Sequence, residues 1–297
     1  MELDLPYYIR SDVSGLERIA ALVAKILNED GAEVTLNASR LGWLDANLLA
    51  AVGVILACAR SAGKMIHSAR APREDILAIM KRNLFHCAEF GDGAPAKTEE
   101  LLSRYRFKSY LPYCRFDREE SRDFKDKYIK AFVADRFVPF VDEIVQTKVR
   151  ECLMELFDNA KNHSESSLGV FVCGQQYPIK KRLRLTIADA GVGFAGCYER
   201  RFGKSVTSRD AIEWAMQPEA HSVRKNIPGG NGLQVLQGFV KSNGGTFSIL
   251  SGSGLWFMDA AGTTLKELET AFPGTIATVE FDTSREGAYS LRDRAFY

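Results

Sequence analysis

Apolar positions along this chain follow two alternating periods. Ser14 to Leu27 carries the three- and four-residue spacing of an amphipathic helix, and Glu33-Val-Thr-Leu-Asn37 alternates as a strand does. Asp45 is placed to cap a helix running to about Ser61; Lys64-Met-Ile-His67 predicts another short strand, and Arg73 to Leu84 returns to the helical period. Strands alternating with helices predict a small α/β layer over residues 1–115. The apolar run Leu44 to Ala59 is interrupted by Asp45 and Asn47, which predicts a buried helix rather than a membrane span. Ser121 to Ser164 predicts a long helical region, broken near Pro139, whose first part connects the halves over 116–148.

In the second half the same patterns bring chemistry with them. Arg150 to His163 has apolar residues at 153, 156, 157 and 160, one face of a helix, and sets Glu155 and Asn159 one turn apart on a shared face. A carboxylate so placed can orient an attacking water, and an amide oxygen one turn on can ligate a hydrated Mg²⁺. Arg182-Leu-Arg-Leu-Thr-Ile-Ala-Asp189 alternates as a strand and ends in an acid followed by Ala-Gly-Val-Gly-Phe194. Ionised Asp189 accepts and never donates, which suits the exocyclic amino group of adenine, and Gly191 and Gly193 let the backbone approach a flat base. Pro228-Gly-Gly-Asn-Gly-Leu233 opens the helical run Leu233 to Lys241, whose free N–H groups favour phosphates. A last strand is predicted at Gly274-Thr-Ile-Ala-Thr-Val-Glu-Phe281.

Taken in order, the acidic helix, the strand ending in Asp-x-Gly-x-Gly, the glycine-rich helix start and the closing strand resemble the GHKL ATPase family over about 150–282. The resemblance implies an α/β sandwich of the Bergerat type, with a mixed sheet and a helical layer, spanning 149–297. It implies ATP and Mg²⁺ as cofactors. Glu155 matches the general base and Asn159 the Mg²⁺ ligand; Asp189 matches the adenine-reading acid, with Gly191 and Gly193 in its loop. Gly230, Gly232 and Leu233 match the phosphate-side helix start, and Thr275 the threonine that supports the adenine contact through water. Residues 194–228 match the ATP lid, in which Arg200, Arg201, Lys204, Arg209, Arg224 and Lys225 offer cations to phosphate; Lys225 and Arg224 lie nearest the glycine run. Asp210 to Met216 predicts a short helix within that segment. His163 matches a pattern of anti-sigma-type members, and it also reads as a helix-end histidine that gains from the dipole.

The stretch Val34 to Asp45, the hydrophobic helix after it and Ala62-Gly-Lys64 resemble the STAS domain of anti-sigma-factor antagonists over about 90 residues. In that family a phosphorylated serine usually follows the aspartate; here Ala46 and Asn47 follow Asp45. Without a hydroxyl, the implied role becomes scaffolding, sensing or docking to a protein partner, and Asp45 reads as an N-cap.

Composition narrows the classes further. The 297 residues carry a formal charge of +1, 46% hydrophobic and 26% charged residues, the balance of a globular protein of more than one domain with no general affinity for nucleic acid. No long apolar stretch or leader pattern is visible, so a cytoplasmic protein that does not enter membranes is expected. Six cysteines, with no Cys-x-x-Cys spacing, are expected to be reduced and buried. Three functions fit: an ATP-dependent regulatory switch with slow hydrolysis, an anti-sigma-type serine/threonine kinase, or an interaction module stabilised by ATP. A homodimer fits the first, because ATP-driven dimerisation is frequent in the family. The tail 285–297 mixes charge with aromatics and reads as surface chain.

Overall fold

The computed structural model describes residues 1–90, 110–117, 120, 124–134, 143–217 and 232–284. These residues form a mixed α/β (α+β) structure of helices packed on both faces of a five-stranded sheet.

The N-terminal elements follow the apolar periods closely. Helix α1 (Val13–Leu27) starts at Asp12, whose carboxylate accepts the Gly15 N–H at 2.8 Å, and it buries Leu16, Ile19, Val23 and Ile26. Strands β1 (Glu2–Asp4), β3 (Glu33–Asn37) and β5 (Met65–Arg70) form a parallel sheet in the order β1-β3-β5. A second, two-stranded parallel pair joins β2 (Tyr8–Ile9) to β4 (Trp43–Leu44). A short 3₁₀ turn at Ala46–Leu48 leads into α2 (Leu49–Ser61), and α3 (Glu74–Arg82) and α4 (Phe85–Phe90) follow.

The larger sheet is built from β6 (Tyr110–Phe116), β7 (Val170–Tyr177), β8 (Arg182–Asp189), β9 (Thr246–Asp259) and β10 (Gly262–Asp282), in the order β6-β7-β8-β10-β9. Where the resemblance implies a mixed sheet, every neighbouring pair here is antiparallel, and parallel pairing is confined to the N-terminal strands. Short turns after β7 and β9 return the chain beside itself and make the β7–β8 and β9–β10 pairs antiparallel, while β6–β7 and β8–β10 join strands distant in the chain.

Side-chain alternation along β8 divides the core in two. Leu183, Leu185 and Ile187 face a layer containing α5 (Glu143–His163), α8 (Gly232–Asn243) and a π-helical segment, Phe124–Ala134. Two further helices, α6 (Gly193–Phe202) and α7 (Ser208–Ala215), follow β8. The long predicted helical region is thus present as Phe124–Ala134 and α5, while Pro139 lies outside the described residues.

On the opposite face Phe171, Leu250, Leu255, Phe272 and Ile276 share one core with the apolar faces of α1 and α2. Burying five side chains of this size contributes on the order of 10 kcal/mol. That face of the sheet is therefore an internal surface. Contact is close enough that a β-carbon on Gly53 of α2 would lie 2.1 Å from the Tyr113 hydroxyl of β6. Among the described residues no helix is long and apolar enough to cross a membrane. The cysteines, expected to be buried, are divided: Cys114, Cys152 and Cys173 are buried, Cys58 and Cys197 are partly covered, and Cys87 is exposed.

Candidate functional site

Strand β8 delivers Asp189 to the end of the sheet, where the following glycines turn the chain away. Gly191 presses against the end of α5: its own β-carbon would lie 2.0 Å from the Ser164 carbonyl oxygen, and the Val192 N–H donates to that oxygen at 2.8 Å. Gly193 takes a left-handed φ of 65° and starts α6, with space for no β-carbon beside the Ser251 hydroxyl. Across the ladder, Thr275 of β10 stands opposite Asp189. Its hydroxyl pairs with Ser251 Oγ at 2.9 Å, and Ser251 Oγ accepts the Phe194 N–H at 3.0 Å. Asp189, Gly191, Gly193 and Thr275 are thus gathered at one corner, with Ser251 as the hydroxyl that ties them together.

Asp189 is only 2% exposed. Burial pushes its carboxyl up to about 7, and the backbone N–H groups of Gly191 and Thr275 hold it from rising further. The Gly191 N–H reaches Oδ1 at 2.9 Å. Among the described residues no cation pairs with this acid. A carboxylate has about four acceptor positions, so the two backbone donors leave capacity for an amino group from outside the chain.

A second group sits on α5. The Asn159 Nδ2 group donates to Glu155 Oε1 at 3.3 Å, and among the described residues the Asn159 amide oxygen and the second Glu155 carboxylate oxygen accept no hydrogen bond. Gly232, the first residue of α8, lies against the same carboxylate: a β-carbon there would fall 2.0 Å from Glu155 Cδ. The glycine is what lets a helix start approach the acid. Leu233 is 6% exposed and belongs to the core under the helical layer, so it anchors this helix start. In the first turn of α8, Gln234 Nε2 is a buried donor with no acceptor among the described residues. An unpartnered buried donor is destabilising unless a ligand supplies the oxygen, and a phosphate would do so. Gln234 and Ser251 were not legible from the sequence, since neither belongs to a glycine or acid motif.

Comparison with protein-family models and with curated proteins returned no match. What the corner can do is therefore read from its geometry.

The two groups belong to one framework. Ser164, which fastens the Asp189 loop, follows directly on the helix that carries Glu155 and Asn159. Lys225 and Gly230, together with Arg224, lie outside the described residues. Of the other candidate cations, Arg200 pairs with Glu165, Arg209 pairs with Asp210 at 3.4 Å and Glu213 at 3.8 Å, and Arg201 lies over the rings of Phe202 and Trp214. His163 is the last residue of α5, the helix-end position. Among the described residues no three His, Cys, Asp or Glu side chains gather as a metal cage. A Mg²⁺ held by one amide oxygen, phosphates and waters requires none.

Asp45 departs from its expected role. It makes no cap hydrogen bond to the 3₁₀ turn that follows it. Instead it is 3% exposed and accepts from the Ser11 N–H at 2.8 Å, Trp43 Nε1 at 2.9 Å, Tyr177 Oη at 3.1 Å and an Arg184 guanidinium nitrogen at 2.8 Å. Charge-assisted bonds to Arg184 outcompete a neutral cap. Arg184 in turn pairs with Glu280, and Asn47 donates to Ser11 Oγ at 2.9 Å and Thr186 Oγ1 at 2.8 Å. The Asp45–Leu48 corner is thus plugged into the second face of the large sheet.

Proposed function

We propose that residues 150–282 form a GHKL-type nucleotide site that binds Mg·ATP and hydrolyses it slowly, as the engine of a regulatory switch. The observation that carries this reading is Asp189, a buried acid that among the described residues has no cationic partner and keeps acceptor capacity beside a glycine loop. An adenine amino group supplies the missing donor, and a guanine carbonyl at the same place would be repelled.

Glu155 holds and polarises a water, and Asn159 Oδ1 would hold Mg²⁺. When bound, the ion would neutralise charge on the phosphate oxygens. Gly232 keeps the backbone of α8 within reach of the phosphates, and Gln234 offers an additional donor. Thr275 and Ser251 brace the loop around Asp189, which orients the acid rather than reacting.

The N-terminal unit provides the response element. Its corner at Asp45–Leu48 already rests on the sheet that carries Asp189, so a change at the nucleotide has a direct packed path to it. The same burial weighs against a kinase acting on its own N-terminal unit, because Ala46 has no hydroxyl and is fully buried. Docking of an external protein, and any homodimer, would use other surfaces of that unit.

Phosphate release by purified protein with Mg·ATP tests the proposal. Glu155→Ala is expected to retain ATP binding and lose release by roughly a hundredfold or more. Release that survives this substitution, or label that moves to a second protein, would count against hydrolysis at Glu155.

A further inference from the structure

We infer that a second ligand site, for a small organic anion with a flat apolar body, lies where the N-terminal unit meets the turn between β7 and β8. A cavity of about 300 Å³ opens there, between Arg10 and Trp43 on one side and Lys180 and Arg184 on the other. That volume is at the lower end of ligand pockets, which run from about 300 to 1,000 Å³.

Charge decides the class of ligand. The acids that line the cavity are already engaged: Asp45 takes four donors, including Arg184, and Asp12 caps α1 through the Gly15 N–H. Arg184 is held between Asp45 and Glu280. Two cations remain. Arg10 stacks over the Tyr8 ring at 4.5 Å and Lys180 lies 5.9 Å from the Tyr177 ring, and among the described residues neither pairs with a carboxylate. Arg10 and Lys180, neither held in an ion pair, can turn their charged ends to an anion that bridges them.

Shape decides the rest. Trp43 is 44% exposed, yet its indole is pinned by the Nε1–H bond to Asp45. A large ring held in place loses little entropy when a flat partner stacks on it. The anion would also tie the N-terminal unit to the β7–β8 turn.

Titration of the full chain with phenyl phosphate, followed by calorimetry and tryptophan fluorescence, tests this site. Saturable binding is expected, together with a rise in melting temperature. Affinity should fall roughly tenfold or more in Arg10→Gln and in Lys180→Gln, which remove one charge-assisted contact each. Benzyl alcohol, the uncharged analogue, should bind much more weakly, and excess Mg·ATP should not displace phenyl phosphate. Absence of saturable binding, parental affinity in both substituted proteins, equal affinity for benzyl alcohol, or displacement by Mg·ATP would each overturn the assignment.

Discussion

Asp189→Asn separates the stability of this protein from its proposed binding chemistry. The carboxyl of Asp189 rises from 3.8 to about 7 on folding. At about 1.36 kcal/mol per pH unit, that rise corresponds to roughly 4 kcal/mol of destabilisation at pH 8, where the acid must be buried ionised. The sign follows from proton binding: between these two values the native state holds a proton that the unfolded state has lost. The carboxyl's contribution is therefore fully favourable below 3.8 and is lost as pH rises through about 7. Asparagine keeps the acceptor for the Gly191 N–H and removes the charge, but it buries an NH₂ group that costs about 1–3 kcal/mol if unpaired. The variant should thus be more stable than the parent by about 1–3 kcal/mol at pH 8 and no more stable at pH 5. Urea denaturation of both proteins at the two pH values reads this difference. A stability gap of the same size at pH 5 and pH 8 would refute the buried, unpaired acid.

Two other substitutions probe the neighbouring contacts. Gly232→Ala places a β-carbon 2.0 Å from Glu155 Cδ, so the carboxylate must swing aside. Phosphate release should fall roughly tenfold or more while stability moves by less than about 1 kcal/mol, because alanine's helix propensity offsets the crowding; unchanged turnover would place Glu155 outside the chemistry. Asp45→Ala strips four donors of their acceptor, including the half-buried Arg184 guanidinium, which keeps Glu280, and should lower stability by about 2–3 kcal/mol in urea titrations. A loss below about 1 kcal/mol would mean that the corner is solvated rather than plugged into the sheet.

Much of the fold was legible because apolar periodicity survives in short windows. The strands Glu33–Asn37 and Arg182–Asp189 have the bounds that their alternation marks, and α1, α2 and α7 lie within a few residues of their predicted spans. Strands β6, β7 and β9 were less legible. Their runs are buried on both faces, as in Val170–Cys173, and such runs lose the period that distinguishes strand from helix. The closure of the second sheet face by α1 and α2 was not legible at all, since an apolar stripe does not name its partner. The candidate site divides in the same way. Glycines and acids at fixed spacing point to Glu155, Asn159, Asp189 and Gly232, whereas Ser251 and Gln234 acquire meaning only from neighbours distant in the chain. Asp45 was misread as a cap because its position before a helix is visible in sequence and Arg184, 139 residues away, is not.

Calorimetric titration with Mg·ATP and Mg·GTP at pH 8 and at pH 6 tests most directly whether Asp189 reads adenine. Saturable heat is expected with ATP and not with GTP, and the ATP affinity should weaken at pH 6, where a proton occupies the acid that the amino group needs. Heat of equal size with both nucleotides, or none with either, would contradict it.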